Sequence, residues 1–346
     1  MGQSSKPAEP IGRVERSLLG FLAALFLATL LSAVFVPRET FRFIPEREPA
    51  GARVDPEIAF GPALKLSVAR VRDVATLRRL LLEADFDPAA VRVGQAPVPA
   101  LFLATIPEDL ATVKQVQNRK NLFIGIVLPL ILNANSVVLE RRARLASLMS
   151  DEPSTLSNSD QRWLLRLARL YRVIEPEAEI GEVDNKVLGR LFRRVDAVPV
   201  SMALAQSAAE SGWGRSRFAR RGNALFGQWT WEEDAGLVPG DREDGRTHAV
   251  RAFSRLGNSV RAYVHNLNIS HHYRAYRSAR ERLRVSGSPD GTWGHELIGY
   301  LDKYSEEGTD YIEKIRSIIR VNRFGDFETA YIGADIVPSG SSASGS

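Results

Sequence analysis

Between Leu18 and Val36 the chain reads "LLGFLAALFLATLLSAVFV", without a single charge. A helix of that length matches the roughly 20 apolar residues that cross the hydrocarbon core of a bilayer. A secretory leader has an apolar centre of only about 7–15 residues, and no A-x-A-like site follows this run. The expectation is therefore an uncleaved signal anchor over residues 17–36. Orientation does not follow from the flanks, because Lys6, Arg13 and Arg16 on one side balance Arg38, Arg42 and Arg47 on the other. Myristoylation is excluded, since Lys6 stands where that signal needs Ser or Thr.

The anchor divides the rest of the chain. Residues 1–16 form a short tail, residues 37–60 a Pro- and charge-rich linker, and residues 331–346, which end in the Ser/Gly-rich "PSGSSASGS", are expected to be a disordered tail. The remainder, at 44% hydrophobic and 25% charged residues for the whole chain, can bury a sizeable core. It reads as a helical region over 61–150 and a second domain over 151–330. "LFIGIVLPLIL", Leu122 to Leu132, is too short to span a membrane and contains Pro129, so it predicts a kinked core helix continued by "NSVVLERRARLASLM". "VATLRRLLLEADF" predicts a helix and "VPALFLATIP" an extended segment. Apolar residues at helical spacing recur in "QRWLLRLARLYRV", with Asp160 as its cap, and in "KVLGRLFRRVD". They recur again at Val260–Leu267 and Tyr311–Ile319. Residues 228–254 break that period and predict a small β-hairpin lobe, so the fold class is mostly α with a β excursion.

Next to that excursion lies "SMALAQSAAESGWGRSRF". It makes a good helix after Pro199, with Gly212 as its stop, and leaves Glu210 in the last turn. The negative end of the helix dipole disfavours an ionised carboxylate there. Burial behind Trp213, among the small Ala208 and Ala209, disfavours it further. A carboxyl kept protonated near neutrality suits a general acid, and Gln206, one turn back, could orient it. An ion pair with Arg215, Arg217, Arg220 or Arg221 explains Glu210 equally well, and physics alone leaves the two readings open.

The stretch "LAQSAAESGWGRSRFARRGNALFGQW" resembles the Bax protein family of bacteria, within the β-N-acetylglucosaminidase group of glycoside hydrolase family 73. The similarity extends through "RKNLFIGIVLPLILNAN", "RVDAVPVSMALAQ", "SVRAYVHNLN" and "YSEEGTDYIEKI", roughly residues 115 to 322. The resemblance implies a lysozyme-like α+β fold that cleaves β-1,4 bonds next to N-acetylglucosamine in peptidoglycan, with Glu210 as general acid. It marks "NALFGQW" as the element after the helix and Tyr304 as the active-site tyrosine. Gln206, Trp213, Asn223, Phe226 and Gln228 are the expected substrate-binding residues. A second acid is expected in the β-lobe, where Asp241 and Glu243 are the candidates among Glu232, Glu233, Asp234 and Asp244. If none serves, the 2-acetamido group of the substrate can take that role.

Such a substrate lies outside the cytoplasm, which orients the anchor: amino terminus inside, domain in the periplasm. Two alternatives share the pattern, a lytic transglycosylase on the same fold and an inactive peptidoglycan-binding protein. The absence of cysteine excludes disulfides, thiolate metal sites and a Cys nucleophile. The histidines, between His248 and His295, show no metal-ligand spacing, so neither metal nor cofactor is expected. The net charge of +5 favours anionic partners in general. The arginine-rich "RAYRSARERLR" (274–284) reads as a solvated helix face or as a contact for anionic stem peptides or wall polymers. Nucleic acid is not an expected partner, given the anchor.

Overall fold

The computed structural model describes residues 68–230, 236–237, 249–287 and 290–333. All of them fall within one compact unit. The expected anchor, the linker and the tail beyond residue 333 lie outside the described residues.

Local signals start several of the helices. Helix α1 (Val74–Glu83) begins where Asp73 accepts from the Thr76 N–H at 2.7 Å. The short α2 (Pro88–Arg92) follows. Between them and the next helix, β2 (Phe102–Leu103) pairs in parallel with β1 (Val68–Ala69), Val68 opposite Phe102. Helix α3 (Val116–Leu148) is one continuous element that carries Pro129 in its interior. The apolar and amphipathic halves read from sequence are thus a single helix, in which Pro129 gives up one hydrogen bond without ending the run. By length and composition α3 could cross a membrane, but 83% of its apolar window is buried inside the fold. Helix α4 (Asn158–Leu170) is capped by Ser157, whose hydroxyl accepts from the Asp160 N–H at 3.2 Å and donates to the Asp160 carboxylate at 2.6 Å. The expected cap, Asp160, is the third residue of the helix, and its carboxylate accepts from the hydroxyl of the residue that does cap it.

Helices α5 (Asn185–Arg194) and α6 (Val200–Ser211) lead into the site, followed by the short α7 (Arg217–Gly222). Every residue of α6 from Val200 to Ala208 is buried. A helix covered on all sides belongs at the centre of a domain, and α6 is packed by α3, by the 3₁₀ turn Phe324–Phe327, and by two helices of the carboxyl third. These are α10 (Trp293–Leu297) and α11 (Thr309–Val321), which follow α8 (Leu256–Ile269) and α9 (Arg274–Ser286). One hydrophobic cluster contains Leu77, Leu128, Leu204, Leu267 and Ile315, so residues on both sides of position 150 share a core. Residues 331–333 also join it by pairing with Val98.

The β-lobe is slight among the described residues. β3 (Trp229–Thr230) and β4 (Gly236–Leu237) flank β5 (Ala249–Arg251) in an antiparallel sheet of order β3-β5-β4, with Trp229 opposite Val250.

The arginine-rich helix α9 is not a uniformly solvated face. Arg280 is 0% exposed and donates to the carbonyls of Arg193, Asp196 and Ala197, while Arg277 donates to those of Leu267 and Ser270. The buried Asp196 carboxylate takes a bidentate pair from Arg284 at 2.6 and 2.9 Å, with Arg142 and Arg280 within 4 Å. These guanidiniums tie α9 to the entrance of α6.

Candidate active site

Helix α6 ends in a turn that few sequences can make. Gly212, Trp213 and Gly214 all take positive φ, at +57°, +59° and +77°. A non-glycine residue in the left-handed region costs roughly 1–2 kcal/mol, and Trp213 is held there by its ring. That ring meets Phe123 at 5.7 Å and Phe324 at 5.9 Å, with the Lys120 ammonium 4.8 Å above it. Ser211 locks the turn from inside, donating to the Ser207 carbonyl and accepting from the Gly214 N–H at 3.0 Å. Gly214 is favoured by its φ, and a Cβ there would lie 2.8 Å from the end of the Leu110 side chain, which would have to shift. The turn fixes the end of α6, and with it the backbone that carries Glu210.

Glu210 is half-buried, and among the described residues it has no ion pair. None of Arg215, Arg217, Arg220 and Arg221 pairs with it. Its hydrogen bond comes from the Tyr311 hydroxyl, 2.9 Å from Oε1. Tyr311 accepts in turn from the Gln206 amide at 2.8 Å, and the Gln206 carbonyl oxygen accepts from the Tyr263 hydroxyl at 2.7 Å. The chain Tyr263–Gln206–Tyr311–Glu210 thus runs donor to acceptor in one direction, through the buried centre of the domain, and ends on the carboxyl. On the other side lies Gly227, at φ +60°, where a Cβ would sit 3.1 Å from Glu210 Oε2. Only glycine gives both that backbone angle and that approach.

Electrostatics follow from this enclosure. Burial pushes the Glu210 carboxyl up to about 8, against the lowering effects of the Tyr311 hydrogen bond and Lys314, while Glu307 adds to the rise. Burial also holds the Tyr263, Tyr304 and Tyr311 hydroxyls well above their ordinary range, so they remain donors at neutral pH. A carboxyl protonated at neutrality and oriented by a hydroxyl can deliver a proton to an oxygen in the adjoining space.

The other sequence-predicted residues fall around this centre in different ways. Gln206 is 0% exposed and reaches Glu210 through Tyr311, so its amide is available to orient the acid and not to meet a ligand directly. Phe226 is buried and stacks on Tyr263 at 3.9 Å. Tyr304 stacks on Tyr311 at 5.5 Å and donates to the Phe226 carbonyl at 3.2 Å, supporting the aromatic floor. Tyr311, which its spacing assigns to the core face of a helix, is the tyrosine whose hydroxyl meets the acid. It is indeed core, at 0% exposure, and nothing in the spacing distinguishes its hydroxyl from that of Tyr304. Asn223, left-handed at φ +52°, donates to the Phe253 carbonyl at 2.8 Å. The Asn223 Oδ1 and Gln228 Oε1 atoms are buried acceptors without a partner among the described residues. Asp241 and Glu243, with Glu232, Glu233, Asp234 and Asp244, lie outside the described residues.

Comparison with known proteins adds an independent line. Residues 190–324, which contain Gln206, Glu210, Gly227 and Tyr311, match the family described as mannosyl-glycoprotein endo-beta-N-acetylglucosaminidase. The chain is 31% identical over 193 residues to Protein bax of Escherichia coli (strain K12), covering 56% of this chain and 66% of that protein. It therefore spans slightly less than two thirds of that relative's length. No solved structure matches the chain.

Proposed function

Because the chain belongs to the Bax family and carries a glucosaminidase-like domain, we propose that it is a peptidoglycan hydrolase whose general acid is Glu210. The observation that carries this reading is the state of that carboxyl: half-buried, without an arginine partner among the described residues, held by Tyr311 and raised to about 8. The fold under this proposal is lysozyme-like, and the bond cleaved is a β-1,4 linkage next to N-acetylglucosamine.

In the proposed reaction Glu210 donates its proton to the glycosidic oxygen, and the C1–O electron pair leaves with that oxygen. Positive charge developing at C1 is met either by a carboxylate of the β-lobe, Asp241 or Glu243, or by the acetamido oxygen of the substrate. Water then adds to C1, and its proton returns to Glu210. Tyr311 stabilises the carboxylate formed in the first half. Asn223 Oδ1 and Gln228 Oε1 are suited to accept from sugar hydroxyls or amides. Under the same reading Leu18–Val36 holds the chain in the cytoplasmic membrane, with the domain in the periplasm, where the glycan is.

The test is Glu210→Gln, which keeps the size of the protonated acid and removes its proton. Loss of general acid catalysis lowers turnover by at least about 10²-fold, measured by muropeptide release, while the circular dichroism spectrum is unchanged. Stability supplies a second readout. The native state holds a proton that the unfolded chain releases between its ordinary pKa of 4.5 and about 8. Native stability therefore falls with rising pH across that window. Glu210→Gln lacks this loss, so its stability relative to the parent rises from pH 4.5 to 8. Wild-type turnover in the variant removes Glu210 from the mechanism, and anhydro-muramic products from the parent would move the reading to a lytic transglycosylase.

A further inference from the structure

Two arginine-rich stretches without an acid lie next to the residues that border Glu210. Residues 215–221 hold four arginines in seven positions, and residues 251–261 hold three in eleven. The fold joins them. The Phe253 N–H donates to the Gly222 carbonyl at 2.8 Å, and the Asn223 amide donates to the Phe253 carbonyl at 2.8 Å. Arg215, Arg221 and Arg255 are exposed, while Arg220 and Arg251 are half-buried. Among the described residues none of these five makes an ion pair. Glu108 meets Arg220 through its carbonyl oxygen, at 3.5 Å, and not through its carboxylate. The arginines of α9 that sequence offers for anionic ligands are, by contrast, engaged in the fold: Arg277 and Arg280 on carbonyls, Arg284 on Asp196.

Arg251 is the one whose place the sheet fixes. Its N–H donates to the Gln228 carbonyl at 2.7 Å, which sets it across from the residue after Gly227. Gly227 is the backbone that borders Glu210 Oε2. One residue step and one strand crossing separate Arg251 from Gly227, so their Cα atoms lie within about 9 Å of each other. Its neighbour Val250 is buried, and alternation puts Arg251 on the other face, with Gln228. Across from it on β4 stands Gly236, which has no side chain to cover it. The guanidinium carbon is 5.4 Å from the centre of the Phe253 ring, a cation–π distance. Its donors have no acceptor among the described residues, and none of them is sealed from solvent. A planar fork of open N–H donors is matched bidentately by a carboxylate.

We propose that Arg251, flanked by Arg221 and Arg255, binds carboxylates carried by the glycan, so that the substrate is the anionic wall polymer and not a neutral N-acetylglucosamine chain. This deepens the hydrolytic reading and rests on its choice of a glycan, but not on Glu210 being the acid. Two sources carry the chemistry: the carboxylates of stem peptides, and the lactyl carboxylate of muramic acid where the peptide has been removed. A lipid headgroup is also anionic, but a position beside the acid favours the polymer that occupies the cleft.

Binding is measured by calorimetry on the full chain in phosphatidylcholine nanodiscs, with Glu210→Gln as the parent so that chains stay intact. The probes are soluble peptidoglycan chains with stem peptides, the same chains with their carboxyls amidated, and chains stripped of peptides by an amidase. Hydrogen bonds to charged groups are worth enough that intact or stripped chains bind about tenfold or more tighter than amidated ones. The gap narrows as salt rises, and the tighter of the two anionic probes identifies the source. Arg251→Gln abolishes the preference, and Arg251→Lys, which keeps the charge without the fork, restores part of it. Arg166→Gln removes an equal charge from the exposed side of α4 and keeps the preference. If Arg251→Gln fails to fold, the double variant Arg221→Gln/Arg255→Gln, at two exposed positions, decides by whether the preference falls. Equal affinity for amidated chains, a preference that survives in the folded variants, an equal loss in Arg166→Gln, or no binding of any chain overturns the proposal. Phosphatidylglycerol vesicles that compete with the chains for the parent but not for Arg251→Gln would assign this surface to the membrane instead. Muropeptide release by the chain with Glu210 intact is followed separately, so failure of the hydrolytic reading shows there and failure of this one in the binding preference.

Discussion

Opposing forces act on the Glu210 carboxyl. Desolvation raises its pKa, while the hydroxyl of Tyr311 stabilises the charge and lowers it, and burial is the larger effect. The pH dependence of kcat/KM reports such a group in the free enzyme. Under the proposed mechanism the profile loses activity on the alkaline side near pH 8, as Glu210 gives up the proton it must donate. Tyr311→Phe removes a hydrogen bond made to the charged form, so the alkaline limb moves to higher pH even as turnover falls. Tyr304→Phe removes the bond to the Phe226 carbonyl and leaves the Tyr311–Glu210 bond in place, so its limb stays nearer that of the parent. Profiles of the three proteins check this, and a downward or absent shift in Tyr311→Phe would show that its hydroxyl does not stabilise the carboxylate.

At the scale of elements the decisive unit is α6. It is buried from Val200 to Ala208 and has no side-chain cap of its own, since Pro199 occupies the N-cap position. Its orphan N–H groups at Val200 and Ser201 are met from the far end of the chain by Glu328, at 2.9 and 3.0 Å. Burial pushes Glu328 up to about 7, against the three donors that lower it. Its effect on stability therefore has the same sign as that of Glu210, a loss as pH rises between 4.5 and about 7. Glu328→Ala leaves the N–H groups of Val200 and Ser201 and the Ser201 hydroxyl without this acceptor, and the expected cost is at least about 1–3 kcal/mol, read as a lower midpoint in urea. A midpoint unchanged from the parent would mean that water replaces the carboxylate without penalty.

For the whole molecule, the expected anchor and the folded unit make separate demands. The described residues contain their own membrane-length helix, α3, yet it is buried by protein. Membrane association in this chain is therefore expected to depend on Leu18–Val36 alone. Deleting residues 1–40 should release the protein from membranes into the soluble fraction, while the intact chain resists a high-salt wash. A reporter fused after Ser346 should be active only in the periplasm. Retention of the deleted form on membranes would give α3 or another surface the anchoring role.

Much of this protein is legible in its residues, because the signals involved act over a few positions. Period-3.6 apolar faces locate α4, α5, α8 and α11. The break in period at 228 locates the β-lobe, and Gly212 places Glu210 in the last turn of α6. Residue type alone puts the cap of α4 at Asp160 instead of Ser157, because Ser and Asp are both cap-like in isolation. What meets across the fold is not legible. Tyr311 lies 101 positions from Glu210, Glu328 lies 127 from Ser201, and Arg280 finds its carbonyls 83 to 87 residues away. Spacing puts Tyr311 on the core face of a helix and the resemblance marks Tyr304 as the active-site tyrosine, so neither signal reveals that Tyr311 meets the acid. Which buried hydroxyl reaches the acid depends on how α11 lies against α6, a choice made by packing the whole core at once.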